Sequence, residues 1–459
     1  ALVIALASVL LVYVLGWLIL KDARKAAIVT SFFALCFLLY GHVDDALFWH
    51  VPLWRISWLR RLLPVAAALL FAVVVGLTAV TRKNLGPVTS ILNVVAIVLV
   101  LVSSTQIGVT SFAGKASKGF NWTPTMEIEL QRTGVLPDIY YIILDSYTDS
   151  ETLKDVYGYD NSALMDMLTS SGFYVASQSR SNYNRTYLSL SSSLNMDYID
   201  GLMPEINPDS RDLKPLTTMI QNNRVARLLA ALGYRYVHIE SSWSQMRHNP
   251  YADMNLNGRP GISEFNHMLL RTTALRPLLP LLPLQPDYRG YVLGAFDALA
   301  ELPTMGGGPN FVLAHIVCPH WPCVFDADGE PLDYVPWAEE PNKPQKWLDQ
   351  TKFVNKKIKV VAQEILSKSD VPPIIILQGD HGPRYHGLRD SFGILNAIHL
   401  PDDKAIDLVY ESLTPVNTFR IILNCYFDAE LELLEDRSYS TDDIQSSPFK
   451  LTEVTEKVR

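Results

Sequence analysis

The run Ile374-Ile375-Ile376-Leu377-Gln378-Gly379-Asp380-His381-Gly382 reads as a short buried strand, Ile374–Leu377, that breaks on a glycine and delivers an acid and an imidazole into a tight turn. Glycine on both sides lets the backbone bend sharply enough for adjacent side chains to face one centre. Taken alone the turn is only a turn. Two further apolar runs end the same way: Ile139–Leu144 stops at Asp145, and Phe311–Val317 carries His315 and runs into Pro319 and His320. An Asp at a strand end is commonly an N-cap and a strand His commonly a core residue. Three such ends together are what an ion such as Zn²⁺ or Mn²⁺ binds, through hard carboxylate oxygens and imidazole nitrogens.

Between these strands lie amphipathic stretches. Ser162–Ser171, Leu216–Leu232 and Trp347–Leu366 read as helices, and Phe173–Ala176 and Tyr234–Ile239 as further strands. Alternation of this kind predicts an α/β domain with a largely parallel sheet, whose ligands bind beyond the carboxyl ends of the strands. Arg276–Pro286 cannot be a regular helix, because Pro277, Pro280 and Pro283 each remove a donor. Asn182–Asn195 is dense in hydroxyls. A hydroxyl bound to a dication becomes a usable nucleophile, and Thr186 is the first choice, with Ser189 and Ser191 behind it; the alternative is that these hydroxyls cap a helix starting near Leu188.

The 459-residue chain is 49% hydrophobic and only 19% charged. Nearly all of the apolar excess precedes residue 112, in four runs: Ala1–Leu20, Ala26–Tyr40, Leu62–Thr81 and Pro87–Thr110. Each approaches the roughly 20 residues that cross a bilayer. A membrane domain of at least four helices over 1–111 is expected, with further sequence upstream. Lys21, Arg24, Lys25, Arg82 and Lys83 place two short loops in the cytoplasm, although Arg55, Arg60, Arg61, Lys115 and Lys118 weaken the contrast. Leu47–Leu59, with three tryptophans, suits either an interfacial helix or a loop. A juxtamembrane linker over 112–136 leads to the α/β domain, 137–427, and an acidic extension over 428–459 reads as solvated and carries no assigned chemistry. Cys318 and Cys323 are close enough in sequence to pair in an oxidising compartment. With His320 they also form an alternative local zinc set. A net charge of −8 argues against a nucleic-acid partner.

The order Asp145-Ser-Tyr, Thr186 before a Ser-rich stretch, His315-Ile-Val-Cys-Pro-His320 and Gly379-Asp-His-Gly382 resembles the sulfatase-like branch of the alkaline phosphatase superfamily. With apolar spans ahead of it, the chain is similar in architecture to membrane-anchored lipoteichoic acid synthases and lipid A phosphoethanolamine transferases. The resemblance implies an alkaline-phosphatase-like domain outside the cytoplasm and a catalytic metal on Asp145, Thr186, Asp380 and His381. Thr186 would be the nucleophile, and His320 would meet substrate phosphate or a second metal. His315 is expected on the substrate side as well, and Arg384 and His386, just after the turn, are candidates for anion binding by position. A phospholipid would be the donor, and an envelope glycan or glycolipid the acceptor. No Cys/Ser-x-Pro-x-Arg motif occurs, which disfavours classical sulfate-ester hydrolysis. Water as acceptor would make the same centre a phosphodiesterase or phosphatase, and a catalytically silent membrane scaffold is the reading from a different class.

Overall fold

The computed structural model describes residues 2–49, 57–116, 128–131, 134–259, 264–281, 287–335, 337, 340–402, 407–441, 444–445 and 447–459. Parts of the Leu47–Leu59 stretch (50–56), read as an interfacial helix or a loop, of the linker (117–127 and 132–133) and of the proline-rich tract (282–286) therefore lie outside the described residues. The chain divides into two compact units, 1–120 with 260–286, and 121–259 with 287–459.

Among the described residues, the 1–120 part of the first unit contains four helices, α1 (Leu2–Leu20), α2 (Ala23–Trp49), α3 (Ser57–Val80) and α4 (Gly86–Ala116), and its 260–286 part adds the short helix Glu264–Arg271. Two stretches, Ala23–Leu47 and Leu62–Val80, are long and apolar enough to cross a membrane, and Val9–Leu20 and Gly86–Val102 are shorter apolar helical stretches. Lys25 Nζ donates to Ala79 O at 2.8 Å and Thr81 O at 2.9 Å, so the start of α2 meets the end of α3. The proline-rich Arg276–Leu281 forms a 3-10 helix, as its missing donors require.

The second unit is built on seven strands: β1 (Ile139–Leu144), β2 (Phe173–Val175), β3 (Arg235–Ile239), β4 (Met254–Leu256), β5 (Asn310–Ile316), β6 (Ile374–Gly379) and β7 (Asn396–His399), in the order β2-β7-β6-β1-β5-β3-β4. All neighbours pair in parallel except at β7, which runs antiparallel to β6 and β2. The expected largely parallel sheet is present. Central β1 is buried along its whole length, which explains its unbroken apolar sequence. Tyr140, Ile142 and Leu144 face a core closed by Lys343–Lys368 and Tyr288–Glu301, while Ile139, Tyr141 and Ile143 face one closed by Arg224–Ala231 and Pro415–Phe427.

Three expectations change. The helix read over Leu216–Leu232 is two helices, Lys214–Gln221 and Arg224–Ala231, because Asn223 caps the second by accepting from Ala226 N at 2.8 Å. The acidic tail is packed on the domain: β8 (Tyr439–Ser440) pairs with β9 (Thr452–Glu453), and Val454 and Val458 are buried with Phe392. The tail's charge masked this, since its apolar contacts, Leu434, Tyr439, Phe449 and Leu451 among them, are scattered singly between polar residues. Cys318 and Cys323 are both free thiols, each buried as a small apolar group.

Candidate active site

Parallel register creates the site. Leu144 of β1 pairs with Gly379 of β6 and Ile316 of β5. The next residues along β1 and β6, Asp145 and Asp380, therefore leave the same edge of the sheet on neighbouring strands, which run about 4.8 Å apart. Asp145, Asp380 and His381 are all buried, and each offers a ligand atom within 4.8 Å of the others. The two glycines of the turn are required by close packing. A Cβ on Gly379 would overlap the carbonyl of Tyr147, and one on Gly382 that of Asp390.

A hydrogen-bond network fixes the orientations. The amides of Ser146 (3.0 Å) and His381 (2.9 Å) both donate to Asp380 Oδ1. Asp380 Oδ2 is left buried with no hydrogen-bond partner. His381 Nδ1 lies 2.8 Å from Gly382 O. A carbonyl only accepts, so the proton sits on Nδ1 and the Nε2 lone pair points away from it. That lone pair faces Thr186 Oγ1 at 3.2 Å, Asp380 Oδ2 at 3.5 Å and Asp145 Oδ1 at 3.8 Å. Two carboxylate oxygens and an imidazole lone pair converge with too few protons among them to satisfy all three. This donor set fits a divalent cation of the zinc type.

The charges follow from the same geometry. Burial pushes the Asp145 carboxyl up, but His320, His315 and His381 more than offset it and hold it well below the usual carboxylate range. Asp380 is pushed up to about 7 by burial and then by the Asp145 charge. Burial, and then the Arg384 charge, lower His381 well below the ordinary imidazole range, leaving it neutral and able to ligate.

Thr186 opens the helix Thr186–Ser193, whose N-cap, Arg185, makes no side-chain cap bond. Its hydroxyl is the one in this helix that faces His381. Ser189 Oγ instead donates to Asp380 O at 2.8 Å and Ser191 Oγ to Leu216 O at 3.1 Å. The alternative reading, in which these hydroxyls cap a helix starting near Leu188, is not met: the helix starts at Thr186, and Ser189 and Ser191 bond to backbone carbonyls elsewhere.

His315, on β5, is 1% exposed, and its Nε2 lies 3.3 Å from Asp145 Oδ2. It stands behind the carboxylate, with Trp243 packed edge-on against its ring at 5.3 Å. His320 donates its amide to Asp145 O at 3.0 Å, and its ring is 6.3 Å from that of His381. Arg384 donates to Asn184 O at 3.1 Å, two residues before Thr186. The exposed ring of His386 packs edge-on against Tyr157 at 5.3 Å. The sequence reading missed Ser146, whose left-handed backbone (φ 65°) turns its amide onto Asp380. Such a conformation costs a residue with a side chain roughly 1–3 kcal/mol and is concentrated at functional sites. The only local signal was its position directly after a strand-end acid.

No protein-family model and no curated relative matches the chain. Among solved structures, it is similar to phosphoethanolamine transferase domains and to sulfatase-type proteins. The zinc complex of the C-terminal periplasmic domain of EcEptC from Escherichia coli is 12% identical, with a TM-score of 0.48 over 72% of this chain and 96% of that one. The integral membrane lipooligosaccharide phosphoethanolamine transferase A from Neisseria meningitidis is 13% identical, with a TM-score of 0.45 over 81% and 70% of the two chains. An alkaline phosphatase superfamily protein from Vibrio parahaemolyticus is 13% identical, with a TM-score of 0.42 over 73% and 84%.

Proposed function

We propose that the protein is a multi-pass membrane enzyme that moves a phospholipid-derived head group to an envelope glycan or glycolipid, outside the cytoplasm. The observation that carries this reading is the convergence of Asp145, Asp380 and His381 on one point with the Thr186 hydroxyl beside it. Asp145, Asp380, His381 and Thr186 would hold the metal, Zn²⁺ or Mn²⁺. A bound dication supplies activation of a hydroxyl at neutral pH and charge stabilisation for a phosphoryl group.

Thr186 Oγ1 attacks phosphorus of the donor phosphodiester. A bond from phosphorus to Thr186 forms, the bond to the lipid alkoxide breaks, and the proton lost by Thr186 ends on that alkoxide. The acceptor hydroxyl then takes the group from phospho-threonine and frees Thr186. Arg384 and His320 flank the trio and suit the non-bridging phosphate oxygens; His386 extends the anion-binding rim. Four apolar helices ahead of such a domain suit a donor that resides in the bilayer.

Intact-mass measurement after incubation with phosphatidylethanolamine or phosphatidylglycerol tests the reading. The wild type is expected to gain one head-group phosphate on Thr186, and Thr186→Ala to gain none. The same adduct in Thr186→Ala would move the nucleophile to another residue. Release of free head group with no transfer to any offered glycan would make water the acceptor and the enzyme a hydrolase.

A further inference from the structure

Residues 264–281 arise in sequence between β4 and β5 of the α/β unit, yet they pack as part of the helical unit. The attachment is built at one end of α2. Gly41 N–H donates to Thr272 O and Ala274 N–H donates to Phe37 O, both at 2.8 Å. Any side chain on Gly41 would overlap the backbone of Arg271 and Thr272. Arg276 completes the join: Nε lies 3.1 Å from Asp44 Oδ2, Nη1 lies 2.7 Å from Asp45 Oδ1, and Nη1 donates to Gly41 O at 3.1 Å. Asp44 is buried under this contact.

The opposite end of α2 carries Arg24 and Lys25, the latter held on the closing carbonyls of α3. From Lys25 to Asp44 the helix rises about 28 Å at 1.5 Å per residue, close to the roughly 30 Å of a bilayer's hydrocarbon core. A bilayer around α2 therefore puts Asp44, Asp45 and Arg276 at its far interface, opposite the basic loops. The attached segment nevertheless exposes large apolar side chains: Met268 is 62% exposed, Leu269 43% and Leu278 47%. Apolar groups held at that level, beside a fixed Arg, match the boundary between head groups and acyl chains.

We infer that residues 264–281 form an interfacial element that rests in the head-group layer on the non-cytoplasmic face, with Met268, Leu269 and Leu278 as its lipid contacts. It rests on the reading of α2 and α3 as membrane spans. The consequence is a lipid-contact surface on the insertion that separates β4 from the helix Tyr288–Glu301 in the sequence.

The test uses the full chain in bilayers of phosphatidylethanolamine and phosphatidylglycerol, with a genetically encoded fluorescent residue at 268, 278 or, as a reference, at Leu70 within α3. Lipids brominated near the head group are expected to quench emission at 268 and 278 more strongly than at 70, because an interfacial element buries its apolar face only about 5–10 Å deep, with lipids brominated deep in the chain acting on position 70 instead. Unquenched 268 and 278 alongside a quenched position 70 would overturn the inference. An unquenched position 70 would overturn the membrane reading beneath it. Quenching at 268 and 278 that vanishes on dilution of the protein in the bilayer would assign the patch to a second copy of the chain, against the inference.

Discussion

Oγ1 of Thr186 lies 3.2 Å from Nε2 of His381, the ring nitrogen left without a proton by the bond from Nδ1 to Gly382 O. Hydroxyl and ligand nitrogen therefore share one focus. Thr186→Ser keeps the oxygen but loses the methyl that restricts its rotamer. It is expected to retain measurable transfer, whereas Thr186→Ala loses roughly 10³-fold or more. Zinc content measured on both variants should stay near that of the wild type, since Asp145, Asp380 and His381 are untouched; a metal-free Thr186→Ala would make Thr186 mainly a ligand.

Asp380, raised to about 7 from an ordinary value near 3.8, gives a pH signature. A carboxyl whose folded value is raised stabilises the fold at pH below its unfolded value, and that contribution is lost as pH climbs through the folded value. Asp145, shifted the other way, is already ionised across this window. Chelator-treated protein is thus expected to lose melting temperature between about pH 4 and pH 7. Zinc should restore it, with an increment that grows as pH rises because binding displaces the Asp380 proton. A metal increment independent of pH would contradict the assignment of Asp380 as ligand.

Buried behind Asp145, His315 reaches the focus only through that carboxylate. His315→Ala is expected to weaken zinc binding about 10- to 100-fold, the usual effect of removing a group that orients a ligand. Competition with a chromogenic chelator measures this directly. Unchanged zinc affinity with a raised KM for the lipid donor would instead place His315 on the substrate.

At Gly382 an added methyl group would collide with the carbonyl of Asp390. Neither backbone can retreat without moving Tyr385 and His386, whose amides donate to Asp390 Oδ2 at 2.6 and 2.9 Å. Gly382→Ala is expected to lose zinc and activity together, with a destabilisation of about 1–3 kcal/mol typical of overpacking, read by thermal melting of the full chain.

Arg276 neutralises Asp44 and Asp45 at once. Removing one partner of a buried pair strands the other charge, so Arg276→Ala is expected to cost about 3 kcal/mol or more. Asp44→Asn in the Arg276→Ala background should recover part of that loss in a detergent melting series. Additive losses would show that the two residues do not interact.

What the residue order alone determined was local. Unbroken apolar runs marked β1, β5 and β6, because strands buried on both faces need no alternation, and the acids and imidazoles at their ends stood out as candidate ligands because each follows a strand terminus. The glycines of the 379–382 turn were legible too, although the constraint they meet is the nearness of Tyr147 and Asp390 rather than a left-handed backbone. Asn222 and Asn223, which split one expected helix into two, carried a capping signal that amphipathic periodicity masked. Tertiary structure alone decided that β1 and β6 are neighbours in a register that sets Asp145 beside Asp380, and that Thr186 rather than Ser189 turns toward His381. It also decided that 264–281 docks on α2. Propensity and periodicity act over a few residues, whereas strand partners, helix rotation and the return of a distant segment are chosen by which apolar surfaces can be buried together, a property of the whole chain.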